Sequence, residues 1–482
     1  MSYRVPLAAY PGMNRFVLDW LGGDERFLPR ALQSAERRGQ SADLRDALLE
    51  SNKHWGIFPA IHDNATNIVA GQQVGFAGGP LYTLAKIASL LKLKRTLPGP
   101  VNAFFWLATE DHDFDEVARL NVPASLRNVT QQLDLVCIRA IRAAAPRQVV
   151  GSLPVPEPLV EQLLAFFEME RPSWLREGIT FRDSFAELIA SVCGNEIILV
   201  DALLPELRRA GAPLFEQIRA RESEIQNALH DRAQQLEAAG YQEQVVPREG
   251  DRYTLLFQID EDGIRTPNIH GISTSALTRP LLQDFVLNPH VFIGGPAEIA
   301  YYAQLAPLHE LLNIPMPRIA LRGHVLVAPK RVARAVERFG LEPCSLFRSP
   351  DELLAEREPE GVARVRQITN EAKRELMKRI EEITEIALPA DHSLAGSIQR
   401  SIGHLEYHFH KLSERAIKGL VRKDRERYAA TRELVATLFP DRHVQDRVVS
   451  WFAYWMQYGT SLVDRMIEEV EPDSDAFKIV EL

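Results

Sequence analysis

Between Glu110 and Glu116 the chain reads EDHDFDE, six titratable side chains in seven positions. Carboxylates gathered this closely can hold a substrate ammonium or a divalent cation such as Mg²⁺. An imidazole among them can move a proton near neutral pH. Acids also favour the positive end of a helix dipole, and capping of that kind accounts for one or two of these residues, though not for six. Asp111, His112 and Asp113 are therefore the candidate catalytic residues, with Glu116 as a candidate binding residue beside them.

Two glycine-rich stretches offer a complementary chemistry. In GQQVGFAGGPLYTLAK (71–86), glycines permit a sharp turn and close backbone approach, and the helix that follows presents free N–H groups to an anion. Gln72, Gln73, Gly78, Gly79, Tyr82 and Lys86 are the candidate binding residues there. GGPAEIAYY (294–302) repeats the pattern with Gly294, Gly295, Glu298 and Tyr301, and Arg279 lies upstream in TRPLLQ. Lys86 and Arg279 are candidate partners for an anion. Neither loop is GxxxxGK[ST] or GxGxxG, so each taken alone reads equally well as a tight structural turn.

Other reactive side chains are less informative. His404 and His408 are four apart on a helix, but HLEYH puts its glutamate at the wrong offset for HExxH, and no metal site is assigned. Cys137, Cys193 and Cys344 are far apart and outside any CxxC pair. They suit a reducing compartment and a structural role.

What must position the candidate residues is an α/β core. A strand over 67–70 enters the first glycine loop, and a helix follows from about Leu81. After PGPVN, AFFWLATED forms a second buried strand that ends at the acids. A strand, a helix and a strand in this order imply a parallel βαβ unit. FRDSFAELIASVCG then leads to a third strand in NEIILVDALLP. The second glycine loop follows another strand, and a final strand is expected near 318–321. Ligands of such sheets bind beyond the carboxyl ends of the strands, where the loops and the acid cluster all fall.

Residues 1–66 read as helices and loops, and YTLLFQIDEDGIR as a hairpin turning at 261–263. Stretches of about 118–175 and 205–250 read as insertions, the second opening with one long amphipathic segment. The core is thus expected over 1–354 and a helical region over 355–482. In that region Val365, Ile368, Ala372, Leu376, Ile380 and Ile383 form one apolar seam. Leu394, Ile398, Ile402, Leu405, Phe409, Leu412 and Ala416 form the other, as in a coiled-coil hairpin. The aromatic-rich QDRVVSWFAYWMQYG is expected to pack back on the core.

A net charge of −9, from 56 basic and 65 acidic residues, argues against a general nucleic-acid binder. KGLVRKDRER (418–427) reads as a solvated helix face. No apolar signal core opens the chain, and no segment reaches the ~18 apolar residues of a membrane span. A cytoplasmic protein with no membrane partner is expected.

Taken together, GQQVGFAGGPLYTLAK, FWLATEDHDFDEV, TRPLLQDFVL, GGPAEIAYYAQL and QDRVVSWFAYWMQYG resemble the BshC family, the cysteine ligases of bacillithiol biosynthesis. These motifs run in order from the first βαβ unit to the last helix. The resemblance implies a Rossmann-like core with connecting-peptide insertions, related to nucleotidylyltransferases and class I aminoacyl-tRNA synthetases, and a coiled-coil domain that makes a homodimer. It also implies small-molecule substrates, with cysteine joined to the amine of glucosaminyl malate in the last step of bacillithiol biosynthesis. Amide formation from a free carboxylate is uphill, so ATP or another activating nucleotide is possible. No Walker A, HxGH or KMSKS motif is present; IHGIS (269–273) and APKRVAR (328–334) are the nearest stretches, and the cofactor stays unassigned.

On that basis Asp111 and Asp113 would hold an ammonium or a metal, and His112 would be the general base. Backbone amides at Gly78, Gly79, Gly294 and Gly295 would receive a carboxylate or phosphate. A nucleotidyltransferase-like enzyme activating another acid, and a non-catalytic metabolite-binding dimer, are the alternatives.

Overall fold

The computed structural model describes residues 3–30, 40–123, 135–140, 145, 147–247, 252–330, 332, 334, 347–348, 352, 360–420 and 425–482. Contacts divide the chain into two compact units, one of 1–328 with 443–482 and the other of 329–442.

The first unit is built on a five-stranded sheet: β1 (Thr66–Gln72), β2 (Val101–Leu107), β3 (Ile198–Asp201), β4 (Val291–Gly294) and β5 (Arg318–Leu321). Its order is β5-β4-β1-β2-β3, and every pair is parallel. Every residue of β2 is buried, as expected of a parallel strand covered on both faces. The helices that bear on the site are α1 (Leu81–Thr96), α2 (Phe181–Cys193), α3 (Pro205–Ala210), α4 (Thr278–Leu287) and α5 (Pro296–Leu311).

The chain moves outward from β1 to β3 and then returns to the far side of β1 as β4. The direction therefore reverses between β1 and β4, leaving a crevice beyond their carboxyl ends, where open α/β sheets bind ligands.

The segment from Pro205 is broken into α3, Ala212–Ala220 and Glu222–Ala238 instead of running as one helix. At the first break a side chain on Gly211 would meet Leu282 Cδ1 at 2.4 Å. The 256–267 hairpin forms, with Leu256–Ile259 antiparallel to Arg265–Pro267 and also to Ser273–Thr274. Arg119–Pro123 pairs antiparallel with Leu135–Arg139.

A second sheet was not legible in the sequence. Tyr3–Pro6 runs antiparallel to Ala476–Glu481, which lies parallel to His324–Ala328. Beside it, the Gln445 side chain makes two hydrogen bonds to Val327, accepting from its N–H at 2.7 Å and donating to its carbonyl at 2.8 Å.

The second unit contains a helical hairpin, α6 (Glu360–Ala387) and α7 (Ala395–Leu420), bridged by Lys373 and Glu406 at 2.8 Å. Val362 and Ile417 are buried against each other, with Val365 packed on them. Farther along, Ile383 is 61% and Leu412 60% exposed, so the hairpin alone does not cover the seam residues.

The charged helix begins at Glu360, near the composition shift at 355, but the compact core unit closes earlier, with the strand ending at Ala328. Residues 443–482, including the helix α8 (Trp451–Tyr458), group with the sheet rather than with the hairpin. Cys137 is exposed and Cys193 buried; Cys344, and Arg331 and Ala333 of the 328–334 stretch, lie outside the described residues.

Candidate active site

A cavity of about 580 Å³ opens beyond the carboxyl ends of β1 and β4. Gln72 and Gln73 reach it from the end of β1, Tyr82 and Lys86 from α1, and Asp111, His112, Asp113 and Glu116 from the loop after β2. Arg279 on α4 and Gly295, Glu298 and Tyr301 at the start of α5 complete the expected set.

Gly78, Gly79 and Gly294 do not line the cavity. The Gly78 and Gly79 amides donate within their own turn, to the carbonyls of Gly75 at 3.0 Å and Phe76 at 3.1 Å. Both have positive φ, 83° and 74°, which a glycine adopts without strain. The Gly78 carbonyl accepts from Trp451 Nε1 at 2.9 Å, and a side chain on Gly78 would stand 2.4 Å from that indole nitrogen. This glycine loop is shaped to fit under Trp451 and not to receive an anion. At Gly294 the missing side chain leaves room for the Phe292 ring, 2.8 Å from where a Cβ would stand.

Lys86 is buried, with Nζ 2.5 Å from Glu298 Oε2, 2.8 Å from the Gly71 carbonyl and 3.0 Å from Gln72 Oε1. Three acceptors satisfy the three protons of an ammonium, so Lys86 organises the wall instead of offering a free charge. Burial draws its pKa below the ordinary lysine value, against the pull of Glu298. For Glu298 burial acts upward, but Lys86 and Arg279 outweigh it and hold the carboxyl below its usual range. The Gly295 N–H also donates to Glu298 at 2.8 Å. Arg279 keeps its charge because Tyr301 and Glu298 overcome the opposing burial. The Tyr301 phenol is pushed up to about 12, chiefly by burial.

The acid cluster divides into distinct roles. Glu110, 3% exposed, accepts from Arg208 Nη2 at 2.7 Å, Ser273 Oγ at 2.7 Å, the Thr274 N–H at 3.0 Å and the Thr274 hydroxyl. It fastens the Ser273–Thr274 strand to the loop. Burial would raise its carboxyl, yet Arg208 and Arg265 bring it below the ordinary value. Asp113 caps the one-turn helix Phe114–Val117, accepting from the Glu116 N–H at 3.0 Å. Asp115 is exposed and does not line the cavity.

Asp111 accepts from Gln73 Nε2 and, through Oδ1, from the His112 N–H at 2.6 Å. His112 Nδ1 lies 3.3 Å from Arg265 Nη1 and 3.5 Å from Asp111 Oδ1. Glu116 is at the cavity lip, where desolvation and then the carboxylates of Asp111 and Asp113 push its carboxyl up. Tyr82, which accepts from Gln72 Nε2 at 3.1 Å, is raised to about 12 by burial and by Glu116.

Three arginines in the cavity wall went unread in the sequence: Arg265, Arg322 and Arg447. Arg322 directly follows β5, so the strand-end rule that singled out the acid loop applies to it as well. It is buried, donates to Asp446 Oδ2 at 2.7 Å and lies 5.5 Å over the Tyr82 ring. Arg265 is a single charge on the return strand of the hairpin, and nothing local in the sequence marks it. Arg279, Arg322 and Arg447 lie near the β4–β5 end and Asp111, Asp113 and Glu116 near the β2 end, where Arg265 is offset by Glu110, so the cavity is bipolar. An ammonium is favoured at one end and carboxylates or phosphates at the other.

Among the described residues, no group of three His, Cys, Asp or Glu side chains is placed to hold a metal ion. His404 and His408 are exposed on α7. His270 of IHGIS is exposed and outside the cavity wall, while Ser273 serves Glu110. No helix among the described residues is long and apolar enough to cross a membrane.

Comparison with known proteins places this architecture. The N-terminal Rossmann-like domain of bacillithiol biosynthesis BshC matches residues 24–267 and 264–323, and its C-terminal coiled-coil domain matches 325–482. The chain is 30% identical over 444 residues to the "Putative cysteine ligase BshC" of Solibacter usitatus, covering 84% of this chain and 82% of that one. To the protein of the same name from Koribacter versatilis it is 28% identical, over 96% of this chain and 97% of the other. To that of Bacillus cereus it is 26% identical, over 94% and 92%. A parallel sheet reversing between β1 and β4, with helical insertions and a following coiled-coil domain, makes this chain a member of the BshC family of bacillithiol biosynthesis.

Proposed function

We propose that the protein is an amide-forming ligase that joins the carboxyl group of cysteine to the amine of glucosaminyl malate, completing bacillithiol. The bipolar cavity is the observation that carries this assignment. The amine of the sugar enters as an ammonium and must lose a proton before it can attack. Asp111 and Glu116 supply the negative end that binds it, with His112 beside them. The malate carboxylates and the phosphate of an activating nucleotide are anions, and Arg279 on α4, Arg322 after β5 and Arg447 in the cavity wall suit them. The names of the Solibacter, Koribacter and Bacillus relatives support a cysteine ligase.

The protein works as a homodimer through α6 and α7. Ile368, Ile383, Ile386 and Leu412 leave an apolar stripe exposed on the hairpin, and a second copy of the coiled coil would cover it.

Purified protein incubated with cysteine, glucosaminyl malate and each of a panel of nucleoside triphosphates tests the assignment by mass spectrometry. Bacillithiol accompanied by stoichiometric nucleotide cleavage is the expected result and identifies the activating partner. A nucleotide adduct of some other acid would replace the assignment with a nucleotidyltransferase. No turnover of the purified protein with any nucleotide, together with unchanged bacillithiol in a strain lacking the gene, would remove it.

A further inference from the structure

The environment of His112 Nδ1 determines which ring nitrogen carries the proton. Arg265 Nη1 is 3.3 Å away, and a guanidinium can only donate. That contact requires a lone pair on Nδ1 and leaves the N–H on Nε2. The opposing group is Asp111 Oδ1, at 3.5 Å from the same nitrogen. That separation is beyond ordinary hydrogen-bond range, and this oxygen already accepts the His112 backbone N–H at 2.6 Å. Gln73 occupies the other oxygen of Asp111. Asp113 and Glu116 are the remaining charged groups that share the cavity from the same loop.

Arg265 is held in place. It is buried, its Nε donates to Ser273 Oγ at 3.1 Å, its Nη2 donates to the Thr274 carbonyl, and its guanidinium lies 4.0 Å from the centre of the Phe257 ring. Ser273 and Thr274 are in turn fastened by Glu110, which is paired with Arg208. A buried chain of contacts therefore sets the direction from which the guanidinium meets His112.

We propose that Arg265 is a positioning residue that fixes His112 as the Nε2–H tautomer, making His112 a hydrogen-bond donor in the reaction and leaving Glu116 as the base. The Glu116 carboxylate faces the same cavity and has no side-chain hydrogen bond or ion pair among the described residues. In the amide-forming reaction proposed above, the amine nitrogen attacks the carboxyl carbon of cysteine activated as a mixed anhydride with phosphate. The amine proton passes to Glu116, and His112 Nε2–H stabilises the negative charge that develops on the carbonyl oxygen. The electron pair of the breaking C–O bond leaves with the phosphate.

The donor role rests on the ligase assignment, whereas the tautomer can be tested without any substrate. Long-range ¹H–¹⁵N spectra of ¹⁵N-histidine-labelled protein at pH 7, with the His112 signals identified by their loss in His112→Gln, should show the Nε2–H pattern. Arg265→Gln should convert it to a mixture. An Nδ1–H pattern in the unaltered protein would overturn the proposal whatever the reaction turns out to be. In activity, a glutamine amide can replace an Nε2–H donor but not a base. His112→Gln should stay within about tenfold of the parent, and His112→Ala should fall by about 10²–10³. Equal losses in the two variants, with the Nε2–H tautomer confirmed, would remove the donor role and leave the tautomer standing.

Discussion

Lys86 Nζ and Glu298 Oε2 are 2.5 Å apart, a contact that ties the helix leaving β1 to the helix leaving β4 across the point where the sheet reverses. The crevice that a parallel sheet opens at this point is therefore bridged from within by a buried ion pair.

Removing one partner strands a buried charge. Lys86→Met or Glu298→Gln should each cost about 3 kcal/mol, at the low end for buried pairs because the Glu298 side chain keeps 25% exposure. Urea unfolding measures this. The double variant Lys86→Met/Glu298→Met should lose less than Glu298→Gln alone, since the Lys86 ammonium is then not left without its partner.

The raised carboxyl of Glu116 predicts a pH dependence. A base must be ionised, so kcat/KM should fall with decreasing pH through a value above the ordinary glutamate 4.5. Glu116→Gln should lower kcat by about 10²–10⁴ and abolish that acid limb. An unchanged limb in Glu116→Gln would assign it to another group.

Glu110 gives the opposite sign, in stability. Its folded-state pKa is depressed, with the arginines prevailing over burial. The stabilisation is therefore complete above about pH 4.5, the unfolded value, and is lost as pH falls through the lower folded value. Glu110→Gln should flatten this dependence in acid titrations followed by circular dichroism. At neutral pH it should also cost about 3–5 kcal/mol by leaving Arg208 without its partner.

Gly78→Ala would drive a methyl group into the Trp451 indole and force alanine to a φ of 83°. A loss of about 1–3 kcal/mol is expected, read by thermal melting together with a shift in tryptophan emission.

Glutamates at Ile383 and Leu412 together should abolish self-association in sedimentation experiments while leaving helical content intact. Both positions are exposed in the single chain, so the change removes apolar surface without disturbing a packed core.

The sheet was legible wherever apolar runs ended at glycine or proline: Thr66–Gln72 runs into the glycine loop, and Val101–Leu107 follows PGP. The acid loop was legible because charge follows a fully buried strand. The division of labour within it was not, since it depends on partners far along the chain: Arg208 and Ser273 for Glu110, and Arg265 for His112. Gly78 was misread for the same reason, because the side chain that explains it, Trp451, is 373 positions away. Tyr3–Pro6 offers only four residues, too few for alternation to show, and gains its pairing from the far end of the chain.

The two hydrogen bonds between Val327 and Gln445 have a consequence for protein engineering. They bring the points where the chain leaves the first unit and re-enters it close together. Residues 329–442 are thus inserted between two neighbouring points of the first unit. A short linker from Ala328 to His443 should yield a minimal core that keeps every residue lining the cavity, which would allow chemistry and self-association to be assayed on separate molecules.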